Sequence, residues 1–472
     1  MTLLEALRAT VGAHNVLTEG DLSAWEQDWR RRWRGKALAV VRPGSTDEVA
    51  AVVRLCVAQR VSIVPQGGNT GLVGGGVPDA SGTQVLLSLR RLNRVRSIDA
   101  ANLTLTAEAG CVLQAAQAAA AEQGLLLPLS LAAEGSCTLG GNLATNAGGT
   151  QVLRWGNTRD LCLGLEVVTA SGDIWHGLSG LRKDNTGYDL RDLYIGSEGT
   201  LGIITAATMK LAPLPAATTT ALAACHTLAD CVALLNLART RLGSGLTGFE
   251  VMGRYALDLV ARHFPTLPQP LPTAPWTVLL EQSDVEGVAQ ARTRFEALLS
   301  AALEAGTVQD AVVAESLAQS RALWLMRESI PLAQAEEGLN IKHDISLPVS
   351  SIPEFVARTD AALRARYAGV QLVNFGHLGD GNLHYNVQAP AGGDGDGDGD
   401  GKRFLAEEEH AVNTIVFDAV AEYGGSFSAE HGIGLLKRDE LALRKSPVAL
   451  QLMRSIKTAL DPLQLMNPGR VL

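Results

Sequence analysis

Apolar and polar positions fall into two rhythms along this chain, and the first change of rhythm comes early. MTLLEALRATVGAHNV carries an amphipathic stretch with helical spacing. ALAVVRP is then a short apolar strand, Ser45-Thr46-Asp47-Glu48 a capping box that opens the helix EVAAVVRLCVAQR, and VSIVP a second strand. Between them, Trp25, Trp29 and Trp33 are spaced by four, which predicts one helical face packed on a core. TQVLLSL and LTLTAEAG read as strands, VLQAAQAAAAEQG as an Ala-rich helix closed by Gly124, and LGLEVVTASGDIW as a hairpin with Ser171-Gly172-Asp173 at its tip.

From about residue 214 the composition shifts. ATTTALAAC and WTVLLEQS read as strands, LADCVALLNLARTR and VAQARTRFEALLSAALEAG as helices, an alternation that predicts an α+β domain with an antiparallel sheet. IKHDISLPV alternates as a strand and puts Lys342 on the face of Asp344. NFGHLGDGNLHYN, residues 374–386, has Asp380-Gly381 at its centre, the dipeptide that favours a two-residue type I′ turn. Counting outward pairs Gly379 with Asn382, Leu378 with Leu383 and His377 with His384, so two imidazoles would stand opposite each other with Cβ atoms about 5 Å apart. Phe375 and Asn386 share their face. A long helix from Phe404 through Tyr423 ends at Gly424-Gly425, and further helices lead to a tight turn at Asn467-Pro468-Gly469.

Length and charge narrow the classes. With 472 residues the chain has room for two or three domains of about 150 residues each. Hydrophobic residues at 46% and charged residues at 19% are those of a globular protein, and a net charge of -9 argues against nucleic acid as a partner. No apolar run reaches the roughly 18 residues of a membrane span, and the first residues lack the order of a secretion signal. The expectation is a soluble bacterial cytoplasmic protein, with a place at the membrane periphery left open. The six cysteines, at 56, 111, 137, 162, 225 and 231, form no CxxC pair and are expected reduced and buried.

Chemistry concentrates in a few stretches. PQGGNTGLVGGGVP, residues 65–78, is too rich in glycine for a core element; it suits close backbone approach and N–H donation to phosphate oxygens, though it lacks both the Lys-Ser/Thr of a P-loop and the GxGxxG spacing. EGSCTLGGNLATNAGGTQVLRWGNTRD mixes small residues with amides, and DLYIGSEGTLGIITAATMKLAP is a third glycine loop feeding a strand. Two histidines alone leave open both a metal site and a merely packed hairpin; Glu430 in SAEHGIG is the best further ligand, with His431 beside it. Arg327 and Lys342 are two cations suited to carboxylates. In the Gly-Asp stretch, Asp396, Asp398, Asp400, Gly401 and Glu407 match an EF-hand spacing, but no helix enters it and Lys402 and Arg403 oppose a cation, so it reads as a solvated repeat.

PQGGNTGL, EGSCTLGGNLATNAGG and GSEGTLGIIT, in this order and at these separations, resemble the FAD-binding domain of the vanillyl-alcohol oxidase flavoprotein family. The resemblance implies an α+β fold: a two-part FAD-binding domain of that type, an antiparallel-sheet-plus-helix cap domain and a helical C-terminal segment. It implies that Gly67, Gly68, Asn69, Thr70 and Gly71 cradle the diphosphate, that Ser136, Thr138, Gly141, Asn142, Thr145, Gly148 and Gly149 line the flavin and ribityl chain, and that Ile203 meets the adenosine part, with Pro65 and Gly199 also at the cofactor. Many members attach flavin through a His in the first loop; Asn69 and Thr70 stand there, so dissociable FAD is expected.

GHLGDGNLH, AEHGIG and NPGRVL together resemble a narrower group, the metal-dependent D-2-hydroxy acid dehydrogenases, including D-lactate and D-2-hydroxyglutarate dehydrogenases. The resemblance implies that His377, His384 and Glu430 bind a divalent ion, zinc ahead of others, that His431 is the base, and that Arg327, Lys342 and Asn386 hold substrate oxygens. One position departs: a Thr is expected four residues after Arg327, and the chain has Pro331. The expected organisation is an FAD domain over 1–213, a cap over 214–425 and a segment over 426–472 that completes the active site. Expected partners are a small D-2-hydroxy acid, hydroxyglutarate-like first, and an electron acceptor that is an electron-transfer flavoprotein, a quinone or a cytochrome; a homodimer stays open. The alternatives are a D-lactate dehydrogenase, the flavin subunit of a glycolate-oxidase-like complex, a carbon–oxygen transferase like the ether-lipid synthases, and a non-catalytic electron carrier.

Overall fold

Ser45 begins the first long helix as its N-cap: its hydroxyl accepts from the Glu48 N–H, but the Glu48 carboxylate reaches past Ser45 to the N–H of Gly44, so only half of the predicted capping box forms. The helix Thr46–Ala58 that follows buries Val49, Val52, Val53 and Cys56. A computed structural model describes residues 1–390 and 397–472 of the chain. It divides into two units, one formed by residues 1–148, 156–214 and 430–472, the other by 149–155 and 215–429.

The first unit has two main sheets. In one, strands Ala37–Val41, Gln84–Ser88 and Ile63–Gln66 run parallel, with Val16–Leu17 antiparallel at the edge. The other is antiparallel in the order Val95–Asp99, Thr104–Glu108, Gly202–Lys210, Cys162–Thr169, Ile174–Gly177. The C-terminal residues join the first sheet: Ile63 N–H donates to the Leu465 carbonyl and Asn467 N–H to that of Ile63.

The tryptophan face does not form. The helix stops after Ser23–Glu26, because the Asp28 carboxylate accepts the N–H groups of Arg30 and Trp33 and closes a turn that bridges Gln27 to Arg34. Trp25 packs against the Ala37–Val40–Leu86 cluster, whereas Trp29 is exposed. The six cysteines are buried and unpaired.

In the second unit an antiparallel sheet runs Asp310–Val313, Ala217–Cys225, Trp276–Asp284, Leu246–Gly253, Gln371–His377, Asn382–Gln388, with Asn340–Ile341 and Asp344–Ser346 both on the last strand. On one face Leu222, Met252, Leu279, Val373 and Phe375 form a core with Leu257, Val260, Leu323, Met326 and Ile330 from the helices Arg254–His263, Leu317–Glu328 and Ile330–Glu337. Asp396 of the calcium-like spacing lies outside the described residues, and the long helix runs Gly397–Glu422, several residues earlier than Phe404: continuing an existing hydrogen-bond ladder outweighs the low propensity of the Gly-Asp residues.

The central hairpin departs from its predicted register. Phe375, not His377, lies opposite His384. Residues Leu378–Asp380 wind into a 3₁₀ turn ended by Gly381, the Asp380 carboxylate accepts the Asn382 N–H, and Arg239 donates to the Gly379 carbonyl. The turn is therefore wider than two residues, and His377 pairs with Glu250 on the neighbouring strand. A two-residue shift preserves the face, so both imidazoles still lie together.

Glu281, in the interior strand Trp276–Asp284 of this sheet, is buried, and among the described residues its carboxylate meets neutral donors alone: Trp324 Nε1 at 2.7 Å, Thr220 Oγ1 at 3.1 Å and Thr247 Oγ1 at 3.5 Å. Burial pushes its pKa above the usual 4.5, and the three donors pull it back only in part. A raised carboxyl pKa stabilises the fold fully below 4.5, and that stabilisation is lost as pH rises through the folded value. Glu281→Gln should remove this dependence. Thermal midpoints measured from pH 5 to 8 should fall less in the variant than in the parent, by roughly 2–4 °C for each kcal/mol recovered; identical profiles would contradict the assignment.

Candidate active site

In the first unit the three glycine-bearing loops line one groove. Pro65, Gly67, Gly68, Asn69, Thr70 and Gly71 form one wall, Thr138, Gly141, Asn142 and Thr145 another, and Gly199, Ile203 and His431 complete it. The loops are fixed by local chemistry. Asn69 sits at φ 56°, and its side-chain amide donates to the carbonyls of Ala24 and Gln27. Thr138 caps the short helix Leu139–Thr145, which Asn146 ends in a left-handed conformation. Many of these residues are glycines, and Gly74, Gly75, Gly76 and Gly140 also line the groove, a composition that suits close backbone approach by an elongated diphosphate cofactor. Ser136, Gly148 and Gly149 are not among the lining residues. A Cβ on Gly148 would come within 2.6 Å of the Glu430 carboxylate, so this glycine makes room for Glu430.

One residue of this unit escaped sequence reasoning. Glu198, in the loop GSEGTLG, is buried at φ 53°, and its two carboxylate oxygens accept the N–H groups of Ile433 (2.7 Å) and Gly434 (2.8 Å). A Cβ on Gly432 would lie 2.7 Å from the same carboxylate, which accounts for the first glycine of HGIG, whereas one on Gly434 would run into the Val73 carbonyl. Asn467 of the terminal turn donates to the Glu198 carbonyl at 2.7 Å. Burial raises the Glu198 pKa, opposed by those two N–H bonds and by the charge of Lys437. The segment carrying Glu430 and His431 is thus pinned to the third glycine loop by one side chain. A lone carboxylate among Gly, Ser and Thr was the available signal.

In the second unit the sheet register sets the site. Glu250 lies opposite His377, Phe375 opposite His384 and Asp344 opposite His384 from the other side. Ile341 opposite Val387 keeps that register and sets Lys342 opposite Asn386. One sheet face therefore carries Glu250, His377, Phe375, His384, Asn386, Asp344 and the half-buried Lys342. The His377 and His384 rings meet edge to face with centroids 5.7 Å apart. Arg327, at the end of helix Leu317–Glu328, covers this face with its guanidinium 4.8 Å from the Phe375 ring centre.

Glu250, also missed, joins these groups. It has no exposed surface; one oxygen is 2.6 Å from His377 Nδ1, and the other accepts from Arg327 Nε (2.9 Å) with Nη2 of the same guanidinium in ion-pair contact at 2.8 Å. Burial opposes its charge, but His377 and Arg327 outweigh burial and hold its carboxyl below the usual range. The signal lay in LTGFEVMG, an apolar strand with one carboxylate inside it. Asn386 accepts from the His343 N–H at 3.1 Å and donates to Gln334 at 2.8 Å. Pro331 occupies the second position of helix Ile330–Glu337.

Fold and groove define the class, a flavoprotein of the FAD-linked oxidase type. Residues 37–177 match the family described as FAD binding domain, and residues 214–471 that described as FAD linked oxidases, C-terminal domain. A p-cresol methylhydroxylase structure superposes with a TM-score of 0.76 at 17% identity, covering 99% of this chain and 96% of that one, and an alkyldihydroxyacetonephosphate synthase with a TM-score of 0.73 at 17% identity, covering 99% and 84%. Sequence relatives are nearer: a D-2-hydroxyglutarate dehydrogenase of Xanthomonas citri pv. viticola is 42% identical over 99% of this chain and 96% of its own, and a mitochondrial D-2-hydroxyglutarate dehydrogenase of Bos taurus 38% identical over 99% and 83%. The chain belongs to the D-2-hydroxyglutarate dehydrogenase family of FAD-linked oxidases.

Removing the Glu198 carboxylate leaves two buried N–H groups without their acceptor, each costing about 1–3 kcal/mol. Glu198→Ala should lower both the thermal midpoint and the FAD-to-protein ratio of the purified protein, with Glu198→Gln intermediate because one acceptor remains. Absorbance spectra and melting curves check this; a full flavin complement with an unchanged midpoint would refute the pinning role.

Proposed function

We propose that the chain oxidises D-2-hydroxyglutarate to its 2-oxo acid, using FAD and a divalent ion held by His377, His384 and Glu430. The observation that carries this reading is the single sheet face bearing two imidazoles and two cations, in a chain aligned along 99% of its length with D-2-hydroxyglutarate dehydrogenases. Two imidazoles and a carboxylate are a donor set suited to zinc with coordination positions left for substrate. When bound, the flavin supplies a hydride acceptor and the divalent ion lowers the pKa of the substrate hydroxyl.

The chain's own residues do the remainder. His431, on the groove expected to hold flavin, takes the hydroxyl proton as general base. Arg327 and Lys342 meet the substrate carboxylates, with Asn386 beside Lys342 on the same face. The C2 hydrogen leaves with its electron pair for the flavin, so the acid loses two electrons and two hydrogens in all. A carbon–oxygen transferase would leave the flavin oxidised at the end of turnover, which separates that reading from this one.

Anaerobic mixing tests the proposal. D-2-hydroxyglutarate should bleach the visible flavin band faster than D-lactate or D-malate, and the L enantiomers should not bleach it. D-lactate as the fastest reductant would move the substrate assignment, and bleaching by L forms alone would overturn the stereochemistry. Chelation with EDTA should abolish bleaching and zinc, manganese or cobalt should restore it; full activity after stripping would remove the metal from the mechanism.

His431→Ala should slow flavin reduction about 10²–10⁴-fold. Bound metal should stay near one equivalent in that variant. Loss of the ion would make His431 a ligand instead of the base.

A further inference from the structure

Glu250 sits where the two functions proposed for this sheet face meet. Its Oε1 is 2.6 Å from Nδ1 of His377, and its Oε2 receives Nε–H of Arg327 at 2.9 Å with Nη2 at 2.8 Å. All three side chains are buried, Glu250 with no exposed surface. We propose that Glu250 is the positioning residue that fixes the tautomer of His377 and the orientation of Arg327 together, presenting Nε2 of His377 to a divalent cation. This rests on the metal reading above.

Donors and acceptors decide the arrangement. An ionised carboxylate only accepts, so Nδ1 of His377 carries a proton, and in the neutral ring that metal ligation requires Nε2 then carries the lone pair. Nε2 is then the nitrogen able to ligate a metal, and a hydrogen bond from the other ring nitrogen to a carboxylate both orients the ring and makes it a better ligand. Arg327 is a permanent donor that cannot release a proton. Both oxygens of Glu250 are thus spoken for by donors of different kinds, one fixed and one able to exchange tautomers.

A bland alternative is a buried ion pair that merely docks helix Leu317–Glu328 on the sheet. The two accounts diverge in Glu250→Gln, which keeps shape and volume but has one acceptor and one donor. The amide oxygen must face Arg327, since two donors cannot face each other. Its NH₂ then faces Nδ1 of His377, which can accept only if the ring proton moves to Nε2. The conflict is relieved at the histidine, and the nitrogen meant for the metal is blocked.

The test uses the full-length FAD-loaded protein, stripped of metal with a chelator and titrated with Zn²⁺ and separately with Co²⁺ by calorimetry, without substrate. Wild type should bind one equivalent, and Glu250→Gln should bind about 10–100-fold more weakly while keeping its flavin content and circular dichroism. Equal affinities in the two proteins would overturn this proposal and leave the metal reading standing. Failure of wild type to bind either ion would overturn both.

A second measurement needs no variant. Nitrogen NMR of ¹⁵N-histidine-labelled, metal-free wild type should show His377 protonated at Nδ1 and unprotonated at Nε2. The opposite tautomer would overturn the proposal even if Glu250→Gln fails to fold.

Discussion

A carboxylate with no exposed surface in the interior strand of a sheet is costly unless every oxygen is matched, and Glu250 is matched by two cationic or protonated groups from different elements. That requirement orders the second unit around it. Helix Leu317–Glu328 must end so that Arg327 points inward, and strand Gln371–His377 must pair with Leu246–Gly253 so that His377 stands opposite Glu250. Removing either partner would leave a buried charge uncompensated, which costs far more than the pair gains. The face is therefore specified by exclusion: few arrangements of these elements leave Glu250 satisfied.

The first unit uses a carboxylate differently. Glu198 is met by backbone N–H groups, so it fixes the path of the chain and leaves side chains to other contacts. Its left-handed φ, unusual outside glycine, Asn and Asp, is tolerated because the surrounding contacts over-determine the residue. The close approach of Gly432 to that carboxylate shows the cost of the device: the loop can be pinned only where no Cβ intrudes. Glu198 and Glu250 both fix segments that carry proposed site residues, and neither carries a motif recognisable by type or spacing.

That difference explains what was legible in the sequence. Periodicity and caps located most strands and helices, since Ser45 and Gly124 act through neighbours within a few residues. The glycine loops and the histidine hairpin were readable because their residue types are rare in cores and closely spaced. Partners distant in sequence were not readable: Glu250 is 127 residues from His377 and 77 from Arg327. Two local readings failed where a side chain competed for backbone. Asp28 closed a turn where spacing alone predicted a tryptophan face, and Asp380 took the Asn382 N–H that a two-residue turn would have used otherwise. The slip of the hairpin cost nothing functionally, because a shift of two residues returns each side chain to its own face.

On the proposed reading of the site, Pro331 bears on how the substrate's far end is held. As the second residue of helix Ile330–Glu337 it occupies a position whose N–H has no intrahelical acceptor, and its fixed φ suits a helix start directly after Ser329. The residue is structurally neutral there, so its consequence is chemical: it supplies no hydroxyl to a carboxylate. Recognition of a second carboxylate then falls to charge. Arg327 spends Nε and one Nη2 contact on Glu250, and a guanidinium has five N–H donors, so part of its fork is left for a ligand. Lys342 adds a compact charge opposite Asn386. A point charge tolerates variation in chain length better than a positioned hydroxyl does, and selectivity between dianionic 2-hydroxy acids should accordingly be looser in this chain than a hydroxyl at position 331 would make it.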